Sequence, residues 1–158
     1  MLPAGRNPNH MARVCGGRFK VARRYANDPA LLEPIPRNAI VERFIPQDTV
    51  LPHVQATVSH GGSGSMLAAL AHGLPMLMLP QGADQFENAE ACRSIGAALV
   101  LMPDQITAET IRAAMTTLLD DRTYAENAQR VAAEIASMQS PATVLATLTN
   151  SATPQPSL

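Results

Sequence analysis

Between Pro75 and Pro80 the chain reads Met-Leu-Met-Leu, an unbroken apolar run fenced by prolines. That pattern predicts a short strand buried on both faces, as in a parallel sheet covered by helices. Runs at 56–60 (ATVSH) and 97–102 (AALVLM) predict two more buried strands, and 39–44 (AIVERF) predicts another. Between them the periodicity turns helical. Residues 65–72 (SMLAALAH) are good helix formers that stop at Gly73, with Pro75 just beyond. Residues 84–96 (DQFENAEACRSIG) predict a helix closed by Gly96. Thr107 is placed to cap a helix with Ile111, Ala114, Met115, Leu118 and Leu119 on one stripe. A further helix spans about 122–138, and Ser140-Pro141 open a last short one as N-cap and first residue. Residues 49–54 (TVLPHV) suggest a helical turn, and 19–25 (FKVARRY) an early strand. No internal repeat is visible.

Strands alternating with helices imply parallel β-α-β units, hence an α/β fold: an open parallel sheet with helices on both faces. In such sheets ligands bind beyond the carboxyl ends of the strands. Two loops lie there, 60–65 and 81–85, in consecutive units and so side by side. The first sets Gly61, Gly62 and Gly64 immediately before a predicted helix. A helix amino terminus offers N–H groups without intrahelical partners and the positive end of its dipole. Glycines ahead of it let a bulky anion reach the backbone, while Ser63, Ser65 and His60 add donors. No Gly-Lys-Ser/Thr follows, so this is not a Walker loop, and Leu67 breaks a G-x-G-x-x-G pattern. A nucleophile elbow nearly fits, but Ser65 stands where its last glycine belongs. A tight turn without a ligand is the alternative for the glycines, and a plain helix N-cap for Asp84. His72, at a helix end, and His53, in a loop, read as structural.

The 158 residues suit one domain. At 46% apolar the chain can bury a core, but with 3% aromatics and no Trp that core must be aliphatic and Met-rich. No apolar run matches a membrane span, and no secretory signal is visible. Cys15 and Cys92 lie far apart without metal-ligand spacing, which points to a reduced, cytoplasmic setting and no metal. The net charge of −1 is unevenly spread: residues 1–24 carry +6 and no acid, the remainder −7. Such an opening fits a disordered basic arm. A nucleic-acid or membrane-surface arm would need a docking fold behind it, and none is visible, so neither nucleic acid nor stable membrane insertion is expected.

Four motifs stand in order: F-x-P-Q at 44–47, H-G-G-x-G-S at 60–65, G-x-P-x-x-x-x-P at 73–80 and A-D-Q-x-x-N-A at 83–89. With them, about 28–148 resembles the donor-binding half of GT-B glycosyltransferases. The resemblance is to the macrolide and natural-product enzymes of erythromycin type, relatives of the UDP-glycosyltransferases. It implies a Rossmann-like nucleotide-sugar-binding domain over 28–149, possessing an incomplete amino-terminal side. An atypical, partly disordered basic segment (1–27) precedes it and a disordered tail (150–158) follows. It also implies inverting, metal-independent transfer, without a cofactor, from a UDP- or dTDP-sugar to a small lipophilic acceptor. By the same resemblance Phe44 lies against the nucleobase and Gln47 contacts the base or nearby backbone. His60 contacts the diphosphate, and Gly62, Ser63, Gly64 and Ser65 form the phosphate-cradling turn. Asp84 and Gln85 hold hydroxyls of the donor sugar, chemistry that suits an acceptor-only carboxylate beside a carboxamide.

Two departures matter. Ala68 stands where plant-type members carry a Glu that contacts the ribose, which is compatible with a dTDP donor. The acceptor half, with the His that deprotonates the acceptor, has no counterpart; the segment around His10 does not follow a strand and receives no such role. No catalytic residue is therefore expected in the chain, and alone it should transfer little or no sugar, as a truncated or abnormal reading frame would. The alternatives are a donor-binding subunit that works with a separate acceptor-half polypeptide, an inactive remnant, or a hydrolase built on Ser63.

Overall fold

The computed structural model describes residues 21–24, 34, 37–42 and 46–151. Strand β1 (Val21–Arg24) pairs in parallel with β2 (Ala39–Glu42). Helix α1 (Gln47–Val50) runs into a 3-10 turn at Leu51–His53. Three β-α units follow: β3 (Thr57–Ser59) and α2 (Ser63–Ala71), β4 (Met76–Met78) and α3 (Gln85–Ser94), β5 (Ala98–Val100) and α4 (Ala108–Asp120). Helices α5 (Arg122–Ser137) and α6 (Pro141–Ser151) complete the described chain. Strands β3, β4 and β5 form one parallel sheet in that order, with Leu77 standing between Val58 and Leu99.

The predicted central strand divides the core. Met76, Leu77 and Met78 are all fully buried. Because strand side chains alternate, Met76 and Met78 join Ala98, Ala69, Leu70, Ala89, Cys92 and Ala128, the layer built by α2, α3 and α5. Leu77 points the other way and joins Ile111, Ala114 and Leu118 of α4, with Val58 and Leu99 beside it. Helices therefore cover both faces, as the apolar run requires. Burial pushes the Cys92 thiol up, which makes it a small core residue rather than a reactive one.

The helix stops fall on the predicted glycines. Gly73 (φ 65°) and Gly96 (φ 70°) adopt the left-handed conformation. Gly73 N–H bonds Leu70 O at 2.9 Å and Leu74 N–H bonds Ala69 O at 3.0 Å; Gly96 and Ala97 repeat the pair on Arg93 and Cys92, both at 3.0 Å. These are Schellman closures, which turn each helix straight back toward the next strand. Helix α5 crosses both closures. A Cβ on Gly73 would stand 3.0 Å from Gln129 Cγ, and Asn127 Nδ2 donates to Gly96 O at 3.0 Å. Helix α4 starts as predicted, with Thr107 and Thr110 exchanging backbone-to-hydroxyl bonds at 2.9 and 3.1 Å. Ser140 Oγ caps α6 through Thr143 N–H at 3.2 Å.

Some boundaries differ from the sequence reading. Helix α2 begins at Ser63, not 65, because Gly62 already serves as N-cap and its carbonyl accepts Met66 N–H at 3.0 Å. His53 closes the 3-10 turn rather than lying in a loop. Helix α6 continues to Ser151, across the boundary set for the tail, and 152–158 lie outside the described residues. Strand β1 takes up 21–24 of the basic opening; 1–20 also lie outside. No described helix is long and apolar enough to cross a membrane.

Leu77→Ala should lower the unfolding free energy by about 2–5 kcal/mol in chemical denaturation, since the cavity opens at the centre of the sheet. Leu145→Ala on the exposed side of α6 should change it by less than about 0.5 kcal/mol.

Candidate functional site

Strands β3 and β4 deliver their following loops to the same edge, where α2 and α3 begin. The two beginnings touch. Ser63 Oγ donates to Asp84 Oδ2 at 2.9 Å. Asn88, one turn into α3, donates from Nδ2 to Gly61 O at 3.0 Å, to Asp84 Oδ2 at 3.2 Å and to Ser63 Oγ at 3.3 Å. A carbonyl and a carboxylate only accept, so the amide must turn its nitrogen inward. The Ser63 hydroxyl gives its one proton to Asp84 and accepts from Asn88. Ser63 first, then Asn88, hold the Asp84 carboxyl below its ordinary value; desolvation opposes them, and its own backbone and the His60 charge add to the lowering.

Neither helix start is closed by a side chain. Gly62, the N-cap of α2, has none, and Asp84, at the N-cap of α3, makes no capping bond. Its backbone is already helical (φ −69°, ψ −4°) and its carboxylate is committed to Ser63 and Asn88, so the plain capping role fails. Helix α4, starting from the third strand, is closed by its own capping box. Two adjacent dipoles thus present their positive ends at one edge without a capping side chain.

The three glycines do different work. Gly61 sits at φ 86°, and a Cβ there would stand 3.0 Å from Met78 Cε and 3.2 Å from Gln85 O, so the fold itself requires glycine. A Cβ on Gly62 would stand 2.7 Å from His60 Nε2: the exposed imidazole lies over this residue. A Cβ on Gly64 would meet nothing within 4 Å, so packing does not demand glycine there. Ala83 precedes Asp84 at φ 52°, the one non-glycine with positive φ among the described residues. That conformation costs on the order of 1 kcal/mol. Gln85 braces the same turn, its Oε1 accepting Gln81 N–H at 2.9 Å.

The edge thus brings together His60, Gly62, Ser63, Gly64, Ser65, Asp84 and Gln85. Gln47, the first residue of α1, makes no hydrogen bond to the cluster among the described residues, and Phe44 lies outside them. Gln85 has one lone pair of its amide oxygen engaged by Gln81 N–H, leaving the second lone pair and the Nε2 protons to offer a ligand. Ser63 is no elbow nucleophile: it is the first residue of a regular helix, without positive φ, and its proton goes to a carboxylate. Asn88 is the asparagine of the A-D-Q-x-x-N-A motif but receives no role from the sequence, although its four-residue spacing from Asp84 puts both on one helix face. Among the described residues no three His, Cys, Asp or Glu side chains gather as metal ligands. A depression of about 360 Å³ lies at the amino-terminal edge of the sheet, lined by Pro52, Gln55, His72, Leu74, Arg122 and Gln129 among others.

Residues 21–150 match the family model described as the erythromycin biosynthesis protein CIII-like, C-terminal domain. The chain is 38% identical over 108 residues to the 4'-demethylrebeccamycin synthase of Lentzea aerocolonigenes, an overlap covering 68% of this chain and 26% of that protein. The calicheamicin glycosyltransferase CalG4 superposes with a TM-score of 0.82 at 29% identity, over 92% of this chain and 38% of that one. The spinosyn rhamnosyltransferase SpnG, solved with thymidine diphosphate, does so with a TM-score of 0.77 at 31% identity, over 89% and 40%. The chain spans about a quarter of the length of the curated relatives it matches. Its fold is that of the carboxyl-terminal half of a GT-B glycosyltransferase. With most of its length matched, the chain belongs to the erythromycin biosynthesis protein CIII-like C-terminal domain family.

Proposed function

We propose that the chain is the donor-binding half of a natural-product glycosyltransferase, and that the edge where α2 and α3 begin holds a UDP- or dTDP-sugar. The observation that carries this reading is the pair of side-chain-uncapped helix starts joined through Ser63, Asp84 and Asn88. The diphosphate lies against the first N–H groups of α2, with the Ser63 and Ser65 hydroxyls and His60 as further donors. Asp84 accepts from hydroxyls of the sugar and Gln85 donates to them. Phe44 and Gln47 serve the base. The solved complex of SpnG with thymidine diphosphate, together with Ala68, favours a dTDP donor.

Transfer is inverting and needs no metal. The acceptor oxygen attacks the anomeric carbon from the face opposite the diphosphate, while the bond from that carbon to the phosphate oxygen breaks. The electron pair leaves with the diphosphate, whose growing charge the helix dipoles and hydroxyls stabilise. The proton of the small lipophilic acceptor goes to a base on an acceptor half, in a longer polypeptide or on a separate chain. The chain alone then binds donor and transfers little or no sugar.

Calorimetry with UDP and dTDP tests the site. Binding is expected, and His60→Ala should weaken it by about 1–3 kcal/mol; an unchanged affinity would remove His60 from the site. Two glycine variants separate folding from binding. Gly61→Ala should destabilise the fold by roughly 1–3 kcal/mol. Gly64→Ala should keep or slightly raise the melting temperature, since Ala is the better helix former by at most roughly 0.5–1 kcal/mol and less in a first turn, yet weaken nucleotide binding by crowding the helix start. Undiminished affinity in Gly64→Ala would mean that no anion approaches there.

A further inference from the structure

We infer that Asn88 is a positioning residue of this site, joining its two loops and setting the direction in which both Asp84 and the Gly62 N–H face the ligand. The inference rests on the donor-binding reading above. Its basis is one nitrogen with two protons and three acceptors within 3.3 Å. Each acceptor belongs to a different segment: Gly61 to the loop after β3, Ser63 to the first turn of α2, and Asp84 to the loop after β4.

Two consequences follow from geometry. The bonds from Ser63 and Asn88 both end on Asp84 Oδ2, and Oδ1 receives neither. The carboxylate is therefore fixed in rotation, with Oδ1 as the oxygen offered outward. If a phosphate takes the Ser63 proton, Asn88 still donates to Oδ2 and the carboxylate stays in place for the sugar. The second consequence concerns the backbone. In a trans peptide the C=O and the following N–H point in opposite directions. By holding Gly61 O, Asn88 aims the Gly62 N–H away from itself. At a glycine with φ 86° few steric barriers would otherwise oppose a peptide flip.

The test combines two readouts on the full chain, with His60, the neighbouring titratable group whose charge reaches Asp84, kept in every arm. In the ligand-free protein, a carbon-13 titration of the Asp84 carboxyl should move up in Asn88→Ala. With ligand, the gain in affinity from dTDP to dTDP-glucose should fall about tenfold in Asn88→Ala, as expected for losing alignment of a charged hydrogen bond, and approach that of Asp84→Ala. A lower melting temperature with the sugar gain and the Asp84 titration both unchanged would mean a purely structural Asn88 and overturn the inference. If Asn88→Ala does not fold, the wild-type Nδ2 protons decide. The inference expects two well-separated, slowly exchanging resonances that persist with dTDP bound; averaged, fast-exchanging ones contradict it. If wild type binds neither ligand, the donor reading fails, while the Asp84 titration still judges the positioning role.

Discussion

Everything in this molecule depends on burying β4 from both sides. Met76, Leu77 and Met78 have no exposed surface, and a strand apolar on both faces is stable only between two helical layers. The neighbours of β4 are both parallel, each crossover carrying a helix over a face of the sheet. Parallel strands in turn send all their carboxyl ends to one edge. The loops after β3 and β4 are therefore neighbours because of where Met76, Leu77 and Met78 must lie, before any ligand chemistry is considered.

The edge so created is held by few interactions, and they are polar. Ser63, Asp84 and Asn88 tie the starts of α2 and α3, with Gly61 closing the network from the preceding loop. Asp84 and Ser63 are exposed, so these bonds add little to global stability beside the apolar layers beneath them. Their effect is orientation. Side chains that could have capped the helices bond to one another instead, which leaves the dipoles of α2 and α3 available to an anion. The positive φ of Ala83 adds local backbone strain to the same edge.

Much of this was legible in the chain. The run from Pro75 to Pro80 indicated a doubly buried strand, and Gly73 and Gly96 marked helix ends because both need left-handed backbone. Thr107 and Ser140 announced caps that the structure contains. The start of α2 was misplaced because glycine argues against helix, whereas Gly64 lies in the first turn, where its propensity costs least. The role of Asp84 as a cap was a reasonable reading of local sequence. Partners 21 residues away and four residues on decided otherwise. Asn88 stood in the A-D-Q-x-x-N-A motif without a role for the same reason: its partner Gly61 is 27 residues distant, and nothing within a single helix reveals such a contact. The bond from Gln81 N–H to Gln85 Oε1 was equally invisible in the sequence; it fixes the side chain and leaves its amide protons and a second lone pair open.

The most direct measurement is a nitrogen-15 amide spectrum of the chain, titrated with dTDP. The account predicts that the largest shifts fall on the amides of Gly62, Ser63, Gly64 and Ser65, with the Asn88 side chain following. Shifts centred instead on Gln55, His72, Leu74 and Arg122, around the depression at the opposite edge, or no shifts at all, would contradict it.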